Sequence, residues 1–177
     1  MTATSARFPI DCGPCALRPW RLDDAEALAD VANEREIWMQ LRDRFPHPYT
    51  RAHADGWVQH AVTQQQPTDL AIAVDGRAAG GIGITLGSDI ERVNAEIGYW
   101  LGKRYWGRGI VSAALRAMTR YAIEEFSLTR VFAIPFVENA GSIRVLEKAG
   151  YVREGLMKQS AIKDGVMRDQ YLYAYYA

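Results

Sequence analysis

The sequence predicts a mixed α/β (α+β) fold in which helices and strands alternate along the chain. Apolar residues recur at helical spacing over about 109–126, where Val111, Leu115 and Met118 fall on one face. Two runs of strand length flank Asp75-Gly76, a dipeptide typical of a two-residue hairpin turn. Because helical and strand patterns are interleaved along the whole chain, an all-helical or all-strand architecture is excluded.

Length and composition are those of an ordinary globular domain. The chain has 177 residues, 49% hydrophobic and 24% charged, and this length is enough to bury a core without disulfides or metals. Lys plus Arg and Asp plus Glu number 21 each, so the formal net charge is zero, which disfavours a globally basic nucleic-acid binder. No apolar run approaches the roughly 20 residues of a membrane-spanning helix, and no apolar signal core opens the chain. We therefore expect a cytoplasmic protein that binds neither nucleic acid nor membrane.

Both cysteines stand in Cys12-Gly13-Pro14-Cys15, a motif shared with thioredoxin-like redox proteins. In those proteins the first cysteine follows a buried strand and begins a helix, which lowers its pKa. Here Thr2 to Asp11 shows no strand pattern, and a short strand is expected to follow the motif. We therefore expect a loose N-terminal arm over 1–15 and a single domain over 16–177, with redox chemistry as a remote alternative.

Three helices are expected in the first third of the domain. Asp23 and Asp24 are candidate caps for a helix whose apolar residues continue to Ala32. A short helix over 37–41 ends before Phe45-Pro46-His47-Pro48-Tyr49, where two prolines enforce an extended loop. Thr50 is the candidate cap of the third helix.

Strands and two further helices occupy the rest of the chain. The long helix over 109–126 is followed by a shorter one over 142–149, which Gly150 ends. Strands are expected at 16–20, 70–74, 78–86, 95–101 and 131–137, and then in a closing hairpin that turns at Asp164-Gly165. Gly80, Gly81 and Gly83 weaken their strand and indicate the close approach of another backbone or of a ligand.

The turn before the long helix predicts a site for a phosphate-bearing ligand. Its sequence is Lys103-Arg104-Tyr105-Trp106-Gly107-Arg108-Gly109-Ile110. Glycines let the backbone approach a ligand, the free N–H groups of a helix start attract anions, and three cationic side chains add to this. The Gly-Lys-Ser/Thr ending of a Walker A loop and the dinucleotide motif Gly-x-Gly-x-x-Gly are both absent. A helix start with solvated arginines is the alternative interpretation.

Three blocks, in the right order, resemble the GNAT family of N-acetyltransferases. Arg104-x-x-Gly107-x-Gly109 matches the family motif Gln/Arg-x-x-Gly-x-Gly/Ala, and 95–102 is similar to the family's fourth strand. The segment 139–151 is similar to the block beside the pantetheine. Together with the opening at 17–25, the pattern is similar to the RimJ/RimL-like branch of ribosomal-protein N-terminal acetyltransferases. The resemblance covers about residues 16–176.

This resemblance implies a mixed, mostly antiparallel sheet of about seven strands, splayed at its centre and flanked by helices. It also implies acetyl-CoA as cosubstrate, in the gap between two central strands, with no metal. Backbone groups of Tyr99, Trp100 and Leu101 would contact the pantetheine, as would Asn139 and Ser142. The diphosphate would lie against the turn before the long helix, whose cofactor-binding residues are Arg104, Tyr105, Trp106, Gly107, Arg108, Gly109 and Ile110.

The resemblance further implies direct acetyl transfer from the thioester to a primary amine. Such a transfer needs a base for the ammonium, a donor to the carbonyl oxygen and an acid for the thiolate. We expect a backbone N–H of 99–101 as the donor and Glu96 as the base, because strand alternation puts Glu96 on the face of Trp100; a merely solvated carboxylate is the alternative. Many family members carry a tyrosine seven residues after the asparagine, but this chain has Leu146. Ser142 is therefore the candidate acid, or else a helix cap, or both.

The expected acceptor is the α-amine of a protein or peptide N-terminus. At pH 7 an α-amine with a pKa near 8 is about one-tenth neutral, whereas a lysine amine is neutral roughly once in 2,500 molecules. Acceptor-binding residues are expected at Arg44, Phe45, His47 and Tyr49. Two alternatives stay open: a small amine such as an amino acid, polyamine or antibiotic, and a CoA-sensing module without turnover. The last, tyrosine-bearing strand is expected to pack in the sheet; alternatively, an exposed edge of this strand would support a homodimer.

Overall fold

The framework is one eight-stranded sheet, seen in a computed structural model that describes residues 8–177. Its strands are β1 (Ile10–Asp11), β2 (Ala16–Pro19), β3 (Asp69–Val74), β4 (Arg77–Leu86), β5 (Asn94–Leu101), β6 (Arg130–Ala133), β7 (Val152–Lys163) and β8 (Val166–Tyr176). Across the sheet they follow the order β1-β2-β3-β4-β5-β6-β8-β7. The helices are α1 (Asp24–Ala32), α2 (Arg35–Trp38), α3 (Arg51–Ala61), α4 (Ile110–Phe126) and α5 (Ala140–Lys148). The predicted mixed α/β class is confirmed.

The strand that sequence reasoning missed is β1. Ile10 and Asp11 pair with Leu17 and Ala16 of β2, and two residues are too few to leave an alternating pattern. The expected loose arm is therefore wrong for 10–15, where the chain turns back along the sheet and buries Cys15 in the core. The cysteines lie in this turn, not at a helix start, so the thioredoxin-like context is missing. Residues 1–7 are outside the described part, and the division into arm and domain stays a prediction.

The sheet is covered on both faces. Alternation along β3 sends Leu70 and Ile72 into one hydrophobic cluster and Ala71 into the other. The first cluster contains the buried face of α4, including Leu115 and Met118, which have no exposed surface. The second cluster is built by residues of α1 and α3. The apolar stripe expected for the long helix is therefore the side that packs on the sheet.

The glycines of β4 serve strand packing. A Cβ on Gly80 would overlap the carbonyl oxygen of Trp100 in β5, and one on Gly83 would overlap the carboxylate of Asp69. The sequence indicates that either another part of the backbone or a ligand comes close to these glycines. At Gly80 and Gly83 the close neighbours are protein atoms.

The last hairpin places the tyrosine strand β8 between β6 and β7. It pairs with β6 over 173–176 and with β7 over 166–174, so the expectation that this strand packs in the sheet is confirmed, and β7 lies at the edge instead. The homodimer stays a prediction, without the free β8 edge that motivated it.

A splay at the centre of the sheet, implied by the resemblance, is visible in the pairing of β5 with β6. This is the one parallel pair of the sheet over residues 8–177, and it joins 94–96 to 130–132 only. β6 ends at Ala133, shorter than the expected 131–137, because Pro135 follows and offers no N–H. β5 continues to Leu101, so beyond Glu96 its second edge faces a gap.

A buried ion pair fixes the start of α1. Arg18 of β2 donates two hydrogen bonds of 2.7 Å to the carboxylate of Asp24, and both side chains are about 6% exposed. The N–H of Arg21 donates to the same carboxylate at 2.8 Å. Of the two candidate caps, Asp23 occupies the N-cap position of α1, although its exposed side chain makes no capping hydrogen bond. Asp24 is not a cap, because its carboxylate is the partner of a buried arginine.

We expect Asp24→Asn to lower the free energy of unfolding by about 3–5 kcal/mol, because it leaves the buried Arg18 guanidinium without its counter-charge. Urea unfolding followed by fluorescence measures the change. The matched control is Asp23→Asn, which removes an exposed carboxylate next to it and should cost less than about 0.5 kcal/mol. Equal losses for the two variants would show that the ion pair does not stabilise this corner.

Candidate active site

The gap exposes the backbone of alternate residues of β5. The N–H of Gly102 bonds the carbonyl oxygen of Ala79 at 2.8 Å, and that of Gly87 bonds the oxygen of Asn94 at 2.9 Å. In an antiparallel pair the bonded residues alternate, so the even-numbered residues of β5 face β4. Tyr99 and Leu101 therefore direct their N–H and C=O groups into the gap. In the same register, the backbone groups of Trp100 face β4 and bond to it. The resemblance implies that Trp100 also contacts the pantetheine through its backbone, but this pairing already occupies those backbone groups.

The end of β5 is tied to the turn that follows it. The indole N–H of Trp106 donates to the carbonyl oxygen of Leu101 at 2.7 Å. This bond occupies the carbonyl oxygen of Leu101. Within residues 8–177, the N–H of Leu101 and the N–H and C=O of Tyr99 remain free to bond a ligand in the gap. It also fixes the turn next to the gap.

The turn forms a cradle at the start of α4. Gly107 and Gly109 have φ of 76° and 74°, a left-handed conformation that favours glycine. A Cβ built on either residue meets no atom of residues 8–177 within 4 Å. The first N–H of α4 to find a helical acceptor is that of Ala113, which bonds the Gly109 oxygen at 3.1 Å. The preceding N–H groups are thus available to an anion in the open space beside the glycines.

Two of the three cations expected at this turn are engaged elsewhere. Lys103 lies 2.5 Å from Glu36 and Arg104 lies 2.8 Å from Asp30, so both tie the turn to α2 and α1. The Lys103 ammonium holds the pKa of the Glu36 carboxyl below its usual value. Arg108 donates to the carbonyl oxygen of Arg104 at 3.0 Å and has no acid partner in the described chain. Arg108 is therefore the turn's available cation.

The far side of the gap is the start of α5. The side chain of Asn139 accepts the N–H of Ser142 at 3.0 Å and so caps the helix, a role that sequence reasoning had considered for Ser142. The Ser142 hydroxyl lies 2.8 Å from the phenol oxygen of Tyr99. Leu146, at the position where the family resemblance leads one to expect a tyrosine, is fully buried. A phenol thus reaches Ser142 from β5 instead of from α5.

Burial governs the chemistry of this phenol. It raises the pKa of Tyr99, and the hydrogen bond to Ser142 only partly opposes the effect. Tyr99 is therefore a neutral hydroxyl at physiological pH, able to donate a proton toward Ser142 or accept one from it. The sequence predicts only a backbone role for Tyr99, because no local pattern indicates that its side chain contacts α5.

Glu96 lies at the last residue of β5 that still pairs with β6. Its carboxylate forms an ion pair with Arg42, which comes from the segment between α2 and α3. The Glu96 side chain is 28% exposed and that of Arg42 is 62% exposed. The carboxylate is thus partly shielded, at the opening of the gap, and next to a cation that sequence reasoning did not identify.

The segment 42–49, which we call the acceptor wall, carries the four expected acceptor residues and packs on β5 through Phe45. The Phe45 ring packs on Trp100 of β5 at a centroid distance of 5.3 Å and on Tyr49 at 4.9 Å. Tyr49 is buried, which raises its pKa to about 12. His47 stacks on Trp38 at 5.4 Å and remains exposed, as does Arg44. The structure therefore joins Phe45 and Tyr49 to the strand that carries Glu96 and leaves Arg44 and His47 on the surface.

The tip of the β7–β8 hairpin fastens this wall. Lys163 is 1% exposed, its Nζ lies 2.8 Å from Asp43, and the same atom lies 3.9 Å from the centre of the Trp38 ring. Next to it, Asp164 pairs with Arg35 of α2 at 2.7 Å. Because Lys163 and Asp43 are 120 residues apart in the chain, no local sequence pattern predicts this contact.

Two other kinds of site find no support in residues 8–177. No group of three or more His, Cys, Asp or Glu side chains is arranged to hold a metal ion there. None of the helices in that range has the length and apolar character needed to cross a bilayer.

Curated proteins similar to this chain include two from Escherichia coli (strain K12). The ribosomal-protein-serine acetyltransferase is 36% identical over 95 residues, which is 52% of this chain and 53% of that protein. The L-amino acid N-acetyltransferase AaaT is 27% identical over 154 residues, 86% of this chain and 90% of that protein. Several curated relatives are matched over only about half of their own length.

The family itself follows from two comparisons that span most of the chain. Mycobacterium smegmatis RimJ, solved in complex with CoA-disulfide, superimposes with a TM-score of 0.81 at 26% identity, over 94% of this chain and 83% of that one. The family model described as the acetyltransferase (GNAT) domain matches residues 15–152. The chain therefore belongs to the GNAT family of acetyltransferases, enzymes that use acetyl-CoA as the acyl donor.

Proposed function

We propose that this cytoplasmic enzyme transfers an acetyl group from acetyl-CoA directly to the α-amine of a protein or peptide N-terminus. The observation that carries the proposal is the gap beyond Glu96. One carboxylate, a free strand edge and a hydroxyl pair border that gap, and an anion cradle adjoins it. The ribosomal-protein-serine acetyltransferase among the relatives supports the choice of a protein N-terminus as acceptor.

The residues around the gap fit acetyl-CoA. The N–H and C=O groups of Tyr99, with the N–H of Leu101, suit the amides of the pantetheine arm. The open space beside Gly107 and Gly109 suits the diphosphate, whose charge is balanced by helix N–H groups and by Arg108. When bound, acetyl-CoA supplies the acetyl group as a reactive thioester.

Glu96 is the proposed base for the acceptor. Its carboxylate lies at the opening of the gap, where it receives the proton of the incoming ammonium directly or through a water. Phe45 and Trp100 form an apolar surface farther along the same strand. An α-ammonium loses its proton more easily than a lysine side chain does, which suits a single carboxylate as the base.

Ser142 is the proposed acid for the departing thiolate. A serine hydroxyl is a weak acid, but this one lies 2.8 Å from the Tyr99 phenol. Tyr99 donates a hydrogen bond to the Ser142 oxygen as Ser142 gives up its proton, so the pair shares the task. This pair supplies a hydroxyl near the gap in place of the one that Leu146 lacks. Because an acid for the thiolate is needed only for turnover, the pair favours an enzyme over a CoA-sensing module.

One observation favours small amines as a second candidate class. The exposed Arg42 beside Glu96 suits an acceptor that carries its own negative charge, as a free amino acid does. The amino-acid acetyltransferase among the relatives, matched over 90% of its length, is in line with this class.

The test of the proposed function is thiol release from acetyl-CoA with a panel of acceptors. Peptides with varied N-terminal residues are compared with the same peptides N-acetylated but carrying an internal lysine, and with amino acids and polyamines. The proposal expects turnover on free α-amines and none on the blocked peptides, and Glu96→Gln should slow transfer more than it weakens acetyl-CoA binding. Turnover confined to lysine or polyamines would contradict the proposal.

Substitutions at Gly109 test the placement of the diphosphate. Gly109→Val forces a left-handed φ that costs about 1–2 kcal/mol and fills the open space. Gly109→Asn tolerates that φ better and fills the same space. We expect both to weaken CoA binding at least about tenfold, measured by calorimetry. Gly76→Asn, at a hairpin turn with φ of 79°, is the control and should bind CoA normally. Normal binding by Gly109→Asn would remove the cradle from the cofactor site.

The Tyr99–Ser142 pair is tested by a double-mutant cycle. Ser142→Ala should lower kcat by about 100-fold and Tyr99→Phe by about tenfold, with acetyl-CoA affinity within about twofold of the wild type. Because both act through one hydrogen bond, the double variant should be no slower than Ser142→Ala. Tyr121→Phe, which removes a phenol bonded to the Pro67 oxygen away from the gap, controls for loss of a tyrosine hydroxyl. Losses that multiply in the double variant would mean that the two residues act independently.

A further inference from the structure

We infer that the site selects acceptors with a carboxylate close to the reacting amine, bound by Arg42 while Glu96 binds the ammonium. The inference rests on the proposed function, since it assigns the amine to Glu96. It names the chemical class of the acceptor: a free amino acid, or a peptide with an acidic residue at its N-terminal end. These two sources share the same chemistry, an ammonium and a carboxylate near each other.

Arg42 has most of its hydrogen-bonding capacity available. One of its terminal nitrogens, Nη2, contacts a single oxygen of Glu96, and its other nitrogens bond nothing in residues 8–177. A guanidinium carries five N–H donors in a planar fork that matches a carboxylate in a two-bond arrangement. Arg42 can therefore bind a second carboxylate that approaches from solvent, where 62% of its side chain is exposed.

The segment that carries Arg42 is held in place on both sides. The next residue, Asp43, pairs with the buried Lys163 of the last hairpin. Phe45 packs between Tyr49 and Trp100. Arg42 thus extends from an anchored wall toward the candidate base, unlike an arginine on a free surface loop.

The charges around the acceptor opening single out Arg42. Lys163 is neutralised by Asp43, and Arg35 by Asp164. Arg44, two residues along the chain, is exposed and adds a positive charge to this segment. Arg42 differs from the paired cations because its partner is the carboxylate that the reaction needs.

An acceptor with both charges satisfies both partners. Glu96 and Arg42 present a carboxylate and a guanidinium side by side, the inverse of an ammonium and a carboxylate on one carbon. Exposed ion pairs are held weakly, so such an acceptor can replace the contact between them. An amine without a carboxylate competes with Arg42 for Glu96 and leaves the Arg42 guanidinium without an anionic partner.

The experiment compares matched acceptors in the wild type and in Arg42→Gln. The pairs are serine with serinamide, and a peptide beginning Ser-Asp with one beginning Ser-Asn. Because the amines of serine and serinamide differ in pKa, the informative quantity is the change in the kcat/KM ratio between the two proteins. We expect Arg42→Gln to reduce the preference for the carboxylate member of at least one pair about tenfold or more. The pair that responds identifies the source, and Arg42→Lys should retain part of the preference.

Arg51→Gln, which removes an exposed arginine paired with Asp55, is the matched control and should leave both ratios unchanged. Ratios that are the same in the wild type and in Arg42→Gln would overturn the inference while the proposed function stands. The affinity of serine and serinamide for the CoA-loaded protein is measured in parallel. An Arg42-dependent preference in binding, with no turnover on any amine, would support carboxylate selection and contradict the proposed function.

Discussion

The candidate site depends on the early end of pairing between β5 and β6. After Glu96 the parallel ladder stops, because β6 ends at Ala133 and the chain turns through Pro135. β5 continues, so Tyr99 and Leu101 present backbone polar groups to a gap inside the sheet. A ligand that covers these groups must supply hydrogen-bond partners for them, because a covered backbone group left unpaired costs about 1–3 kcal/mol. A ligand with amides along a narrow chain, such as pantetheine, is a fitting partner for this edge.

The surrounding elements use their charges mainly to assemble the site. Lys103 and Arg104 tie the glycine turn to the acids of α2 and α1, and Lys163 and Asp164 tie the last hairpin to the acceptor wall. The consequence is that the diphosphate is recognised chiefly by backbone N–H groups, with Arg108 as the available cation. Fixing the turn in advance reduces the ordering that binding would otherwise require. None of these four contacts involves the proposed base; Glu96 pairs instead with Arg42.

Local patterns predicted the parts of this molecule that local physics determines. The Asp75-Gly76 hairpin, the Thr50 cap and the apolar face of α4 were readable because turns, caps and helical faces depend on neighbouring residues. What the sequence could not reveal were partners brought together by the fold: Asp24 with Arg18 in place of a cap, Tyr99 with Ser142, and Arg42 with Glu96. The glycine turn was found as a motif, but that two of its cations were already paired depends on α1 and α2. β1 was too short for any periodicity to appear.

In this structure β5 is proposed to bind the cofactor through the backbone of its odd-numbered residues. Residue-resolved amide hydrogen exchange, measured by NMR with and without CoA, tests it most directly. The amides of Tyr99 and Leu101 should exchange readily in the free protein and become protected when CoA is added. The amide of Trp100, directed to β4, should be protected in both states and change little. Protection gained at neither Tyr99 nor Leu101 would contradict the account of the gap as the pantetheine site.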